Sequence, residues 1–331
     1  MRLTLLTPAP DEPRFAAIAQ TWLDRLSRPL AAEGISVSAT PWTDWLSSPS
    51  PKGRGRGPGE AWEGEGLGTE GQASPTQPLI LPSAARTGPS FSLWEKGSHE
   101  AVSPLLAWGY HQKPEEWAAL LERLAAHDGP VVNRPADLAW NTRKTYLAEL
   151  EAKGAPIVPT LFVDAVTPEA VAEARGRFGG EIILKPQVSA GAFDTVRLTP
   201  GETLSGGPAG PAMLQPFLPA VSGEGELSLL FFGGVFSHAV AKRAKAGDFR
   251  VQVQYGGLYA PFEPSAEAMA AAKAVLAASG RDFTYARIDL IRDRDGALKL
   301  MELEALEPDL YLEHAPDGGA AFARAVRGAL G

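Results

Sequence analysis

The chain has 331 residues, 44% of them apolar and 21% charged, with 31 Lys and Arg against 39 Asp and Glu for a formal charge of −8. This size allows about two domains around a large core, and the acidic balance argues against nucleic acid, whose binders gather Lys and Arg to displace counterions from phosphate. With no cysteine, disulfides, thiolate zinc sites and thiol nucleophiles are excluded. No apolar run reaches the ~20 residues of a membrane span and no signal peptide is expected, so the expectation is a cytoplasmic protein.

Residues 3–6 read as a buried strand, and Phe15, Ile18, Ala19, Trp22, Leu23 and Leu26 then recur at helical spacing before a second strand at 35–39. This βαβ opening predicts an α/β N-terminal domain. Residues 47–100 hold ten Gly and seven Pro, a composition that predicts a disordered low-complexity insertion in a surface loop. Its Arg54 and Arg56 are offset by the acids between Glu60 and Glu70.

Trp117, Leu120, Leu121 and Leu124 predict a helix, followed by a short strand at Val131 and Val132. Asn141 is expected to cap a helix carrying Tyr146, Leu147 and Leu150 and ending at Gly154. Strands are predicted at 157–163, 181–185 and 196–198, a hairpin over 227–240 turning at Gly233-Gly234, an Ala-rich helix over 266–279 and a last hairpin over 285–305.

That last hairpin is the most informative segment. A two-residue turn at Asp295-Gly296 sets Asp289 opposite Glu302 and Arg287 opposite Glu304. Strand alternation then puts Arg287, Asp289, Ile291, Leu300, Glu302 and Glu304 on one face, and Ala286, Ile288, Leu290, Met301, Leu303 and Ala305 on a core face. Three carboxylates crowded on one patch repel. A hard divalent cation, Mg²⁺ or Mn²⁺, relieves that repulsion; the alternative is a solvated acidic face with Arg287 paired to Glu304. A three-residue loop would turn Glu302 to the other face.

Phosphate-binding signals lie upstream. Lys185 closes an apolar strand and is followed by the small-residue loop 189–195, whose backbone amides suit an anion. Lys242, Arg243, Lys245 and Arg250 form a basic cluster interrupted by Asp248. Neither the P-loop nor the dinucleotide fingerprint is present. Cations, an acid cluster and a small-residue loop in one chain are the parts of a phosphoryl-transfer site.

In this order the motifs Asn141-Thr-Arg-Lys144, Glu181-Ile-Ile-Leu-Lys185-Pro186, Met213-Leu-Gln-Pro-Phe-Leu-Pro219, Lys242 through Gln252 and the acidic hairpin resemble the ATP-grasp superfamily. The similarity is to its glutathione synthetase and ribosomal-protein glutamate ligase branch, and most closely to the small proteins related to the cycloserine-biosynthesis enzyme. It covers roughly residues 104–315. The resemblance implies an α/β fold, α+β in the grasp part: an N-terminal domain over 1–133, a central lid over 134–212 and a C-terminal lobe over 213–331. It assigns ATP binding to Lys144, Lys185, Gly191, Gln215, Phe217, Leu218 and Glu226, with backbone groups of Phe217 and Leu218 on the adenine edge. Lys242 and Arg250 take catalytic roles on the transferring phosphoryl group, and Asp289, Glu302 and Glu304 hold Mg²⁺.

The implied reaction is ATP-dependent ligation of a small-molecule carboxylate to an amine through an acyl phosphate, with no nucleic acid or membrane partner and a homo-oligomer left open. A small-molecule kinase and a non-catalytic nucleotide binder are the other two readings. Three positions depart from the wider pattern: Ser228 replaces an arginine of the glutathione branch, Gln252 a common asparagine, and Glu304 an asparagine whose acidic version occurs in the cycloserine-related branch.

Overall fold

The structure, a computed structural model, describes residues 1–49, 100–245, 250–251 and 256–331. The insertion expected over 47–100, with Arg54 and Arg56, therefore lies almost wholly outside the described residues, as do Asp248 and Gln252. Among those described, three sheets are present.

The first is parallel, with β1 (Arg2–Thr7) between β2 (Ser36–Pro41) and β3 (Ala101–Ser103). The expected βαβ unit is there, α1 (Pro13–Ala32) crossing from β1 to β2 with Leu26 and Leu30 buried. Ile18, expected on the buried face, is 48% exposed. Val131 makes only an isolated bridge to Val102 rather than a strand. Two helices close this region. Trp42 of α2 (Trp42–Ser47) meets Trp117 of α3 (Pro114–Ala125) edge to face at 6.1 Å, an arrangement that suits the charge distribution of the two rings.

The next two helices, α4 (Pro135–Thr142) and α5 (Tyr146–Ala152), correct the reading of Asn141. It sits near the end of α4, not at the start of α5, and its buried side chain serves a distant strand. Tyr146, Leu147 and Leu150 are buried as expected, and Gly154 follows α5 with φ +87°. A four-stranded antiparallel sheet comes next, ordered β4 (Leu161–Val163), β7 (Ala212–Pro216), β5 (Ile182–Pro186), β6 (Val196–Leu198), and covered by α6 (Pro168–Phe178). The strand expected over 157–163 is shortened to β4 because Pro156 and Pro159 cannot donate to a ladder. Residues 156–158 pair instead with Leu300.

The largest sheet is antiparallel, with the order β10 (Leu258–Pro261), β9 (Val235–Arg243), β8 (Glu226–Phe232), β11 (Tyr285–Arg292), β12 (Leu298–Glu304). The β8–β9 hairpin turns at Gly233-Gly234 as predicted, both glycines at positive φ. α7 (Ala266–Ser279) has the expected bounds; with α5 it buries one face of this sheet through Leu229, Phe231, Ile288 and Leu303. On the opposite face Leu230, Phe232 and Tyr285 share a core with Leu3, Leu30 and Phe322, the last from the final helix α8 (Ala320–Leu330). No helix among the described residues is long and apolar enough to cross a membrane.

Candidate active site

The β11–β12 hairpin sets Asp289 opposite Glu302 and Arg287 opposite Glu304, the pairing the sequence predicts, but by a different route. The turn has three residues, 294–296, closed by an Asp293 N–H bond to Ala297 O at 2.9 Å. The Asp293 carboxylate caps it, accepting from the N–H groups of Asp295 and Ala297, both at 2.9 Å. Such a turn alone would send Glu302 to the core. A β-bulge restores the register: Leu290 pairs with Leu300, Asp289 with Glu302, and Met301 is the extra residue. The predicted faces change accordingly. Leu300 is fully buried in the core, while Met301 lies beside Ile291 in a cluster with Val158, Ile183, Phe217 and Leu218. The bulge thus presents an apolar wall and an acid, Met301 and Glu302, side by side.

Within the patch each acid has a different standing. Asp289 is buried and its two oxygens accept four donors: Ser228 Oγ at 2.6 Å, Arg287 Nε at 2.9 Å and Nη2 at 3.0 Å, and Lys242 Nζ at 2.8 Å. Burial alone would raise its pKa, but Arg287 and Lys242 outweigh that and hold it below the usual carboxylate range. Ser228 faces Asp289 directly across β8 and β11, and Arg287 reaches the same carboxylate from two residues along β11. Glu302 and Glu304 are the accessible acids, their side chains 32% and 23% exposed. Glu302 pairs with Lys144 at 3.0 Å, and Glu304 with Arg287. Burial pushes the Glu304 carboxyl up, against the pull of Arg287.

The lysines converge on these acids. Lys144, just beyond α4, also donates to Ser189 O at 2.6 Å, tying it to the small-residue loop. Lys242 is held between Glu226 at 2.9 Å and Asp289; burial would deprotonate it, but those two charges keep its pKa above that of an ordinary lysine. Lys185, at the end of β5, is depressed by burial and by Lys144 and Lys242, against the pull of Glu226 and Glu302. In the loop Gly191, Ala192 and Asp194 all take positive φ, 59°, 60° and 50°. Within it the Phe193 N–H bonds Ala190 O at 3.0 Å and the Thr195 N–H bonds Ala192 O at 3.3 Å. Arg250 is half-buried on a segment whose neighbours lie outside the described residues.

The adenine-edge residues separate. Gln215 is buried, its side chain committed to Thr160 Oγ1 at 2.9 Å. Phe217 N–H bonds Glu181 O at 3.0 Å and its ring lies 3.8 Å from the Arg197 guanidinium carbon, whereas Leu218 N–H has no protein partner among the described residues. Leu218 is therefore the better donor to a ligand.

Mg²⁺ characteristically takes one or two protein carboxylates and completes its shell from phosphates and water. Glu302 and Glu304 fit that demand. No three acid or histidine side chains among the described residues are grouped to hold an ion unaided, so the donor set suits a cation carried with a polyphosphate. Sequence reasoning missed the residues that fix this hairpin's free edge. Asn133 bonds Tyr285 O and Ala305 O at 3.0 and 2.6 Å, Asn141 bonds Leu303 O and Ala305 N–H at 2.8 Å each, and Tyr146 Oη bonds Leu303 O at 2.8 Å. The sequence offered Asn141 only as a helix cap and Tyr146 only as a helical core position, and nothing marked Asn133, which lies before α4.

Lysines from β5, from β9 and from the segment after α4 thus gather about two accessible acids, beside an apolar wall shared by the four- and five-stranded sheets. The chain is 31% identical to the cycloserine biosynthesis protein DcsG of Streptomyces lavendulae over 260 residues, 70% of this chain and 86% of the relative. Glutathione synthetase of Prochlorococcus marinus (strain MIT 9313) is 37% identical over 157 residues, 44% of this chain and 48% of that one. The crystal structure of D-cycloserine synthetase DcsG superposes with a TM-score of 0.71 at 21% identity, covering 100% of both chains. D-alanine–D-alanine ligase from Bacillus anthracis gives 0.58 at 11%, over 100% of this chain and 96% of its own. No protein-family model matches. The chain belongs to the ATP-grasp family, and it is an ATP-dependent ligase that joins a carboxylate to an amine.

Proposed function

We propose that the protein activates a small-molecule carboxylate as its acyl phosphate and passes the acyl group to a small amine in the cytoplasm. The observation that carries this reading is the bulged hairpin, which sets Glu302 and Glu304 on one face among Lys144, Lys185 and Lys242. Glu302 and Glu304 would hold Mg²⁺, which supplies charge neutralisation at the phosphates, and Asp289 would anchor Lys242 and Arg287 behind them. Lys144 and Lys185 take the nucleotide phosphates, the amides around Gly191 cover them, and Leu218 N–H meets the adenine edge beside Met301 and Ile183. Glu226 holds Lys242 toward the β- and γ-phosphates. Arg250 stabilises the charge on the moving phosphoryl group, an effect made by pre-positioned groups rather than by covalent chemistry. In this reading 1–133, 134–212 and 213–331 act as three parts, with β7 at the seam of the last two.

The test is an ADP-release screen with Mg-ATP over amino acids and small carboxylates. A ligase releases ADP and phosphate and forms a new amide; phosphate retained on the acceptor would show a kinase. Arg250→Ala is expected to lower kcat by about 10²-fold, the scale of one transition-state donor, with nucleotide affinity changed far less. An unchanged kcat removes Arg250 from the chemistry.

A further inference from the structure

Resting on the ligase reading, we propose that Tyr311 is a positioning residue: locked in a left-handed backbone conformation by His238 and Asp309, it holds the Arg287 guanidinium against Glu304 and so aims that acid at the cation. The starting observation is backbone strain. Tyr311, which opens the 3₁₀ turn Leu312–His314 beyond β12, has φ +46° and ψ +40°. A bulky L side chain adopts that region only where its surroundings enforce it. The other two non-glycine residues with positive φ among those described, Ala192 and Asp194, both lie in the small-residue loop. Two side chains enforce the conformation here. The Asp309 carboxylate accepts the Tyr311 N–H at 2.7 Å. His238, buried on β9, has Nε2 at 3.0 Å from Leu310 O and 3.1 Å from Tyr311 O, so that nitrogen carries a proton and donates to both carbonyls. Burial lowers the ring's pKa and keeps it neutral, which leaves Nδ1 to accept from Ser237 Oγ at 2.9 Å.

The strained backbone sets the place of the ring. Its centroid lies 5.5 Å from the Arg287 guanidinium carbon, within cation–π range. It also meets Tyr259 edge-on at 5.3 Å, and Tyr259 pairs with Lys242 across β10 and β9. Arg287 Nη1 donates to Asp309 O at 3.3 Å, so the same short segment meets the guanidinium twice. The other donors are taken by the acids: Nε and Nη2 by Asp289, and Nη2 also by Glu304. With a ring over the guanidinium and all three nitrogens engaged, its orientation is fixed. Glu304 depends on that orientation. One of its oxygens accepts from Arg287, and the other has no partner among the described residues and is left for Mg²⁺. A tyrosine that only filled the core would need neither a left-handed backbone nor a buried histidine committed to the carbonyls of its own turn.

The test reads Arg287 directly, through solvent exchange of its side-chain Nε–H in the ¹⁵N-labelled full chain, the signal being assigned by its loss in Arg287→Lys. Tyr311→Phe keeps the ring and should match the wild type. Tyr311→Leu removes the aromatic face. Asp309→Ala, at a partly exposed position, removes the acceptor of the Tyr311 N–H and carries the test alone if Tyr311→Leu does not fold. Each should speed the exchange about fivefold or more, the scale of a cation–π contact or one net hydrogen bond. Each should also raise, by a similar factor, the magnesium concentration at which a non-hydrolysable ATP analogue half-maximally stabilises the fold. Wild-type exchange in these variants overturns the proposal. So does faster exchange with an unchanged magnesium requirement, because a role confined to packing lowers the melting temperature and leaves that requirement alone. Equal loss in Tyr311→Phe overturns it too, since the phenol and not the ring would then be acting. Failure of the ligase reading is a separate result: a wild type that binds the analogue with magnesium yet releases no ADP with any carboxylate and amine. No stabilisation of the wild type at any magnesium concentration ends both.

Discussion

Asp289 and Glu302 face each other across one strand pair, yet their surroundings give them different work. Asp289 is buried, and both its oxygens are filled by Ser228, Lys242 and Arg287. Asn at that position removes the negative charge and turns one acceptor into a donor facing two cations. Glu226 still holds Lys242 and Glu304 still holds Arg287, so the loss should fall at the lower end for a broken buried pair, about 3 kcal/mol. Glu302 is a third exposed and among the described residues pairs with Lys144, whose side chain is only 8% exposed but keeps its bond to Ser189 O. Glu302→Gln should cost about 1–2 kcal/mol, less than the change at Asp289, while abolishing magnesium-dependent turnover. Denaturant unfolding and ADP release, measured on both variants, check the contrast. A fully stable, inactive Asp289→Asn would return Asp289 to the role of direct metal ligand.

The hairpin also shows what the chain's order reveals and what it hides. Its strands and its turn region follow from alternation and from Asp295-Gly296, and α7 and the Gly233-Gly234 turn follow from equally local signals. The opposition of Asp289 to Glu302 was expected from a two-residue turn but is set by the bulge. The Met301 bulge has no such local signal, because no glycine or proline marks it; it arises from the need to reconcile a three-residue turn with the pairing beyond it. The support of β12 was hidden for another reason. As an edge strand it exposes backbone groups, and these are met by Asn133, Asn141 and Tyr146, more than 150 residues away in sequence. Lys144 and Lys242 were legible as cations but not as partners of Glu302 and Glu226, since such pairing depends on how distant segments meet. Asn141→Ala leaves the buried Ala305 N–H unpaired, while Leu303 O keeps its bond from Tyr146. The expected cost is about 1–3 kcal/mol. Turnover should fall as well, because Leu303 stands between Glu302 and Glu304; stability lost with full kcat would confine Asn141 to the fold.

At the scale of the whole molecule, the proposed function has a chain of net charge −8 bind a polyanion, and it would do so where Lys144, Lys185 and Lys242 are gathered. Two of these lysines are already neutralised, Lys144 by Glu302 and Lys242 by Glu226 and Asp289. Nucleotide phosphates that take Lys144 therefore release Glu302 beside themselves, and like charges at such a distance repel. A divalent cation converts that repulsion into a bridge, so tight nucleotide binding should require magnesium. Because the nucleotide would lie against both the four- and the five-stranded sheets, its binding should appear in global stability. A magnesium complex of a non-hydrolysable ATP analogue at a hundredfold its Kd should stabilise the fold by about 2.7 kcal/mol, and most of that should vanish with a chelator. Glu302→Gln reverses the logic. With the acid gone, the released side chain no longer repels phosphate, so the metal-free analogue should stabilise this variant more than it does the wild type, and added magnesium should contribute little. Thermal melts of the two proteins, with and without chelator, read both effects. If magnesium raises the melting temperature of Glu302→Gln as much as that of the wild type, the cation is held by other groups and the exchange of partners at Lys144 does not occur.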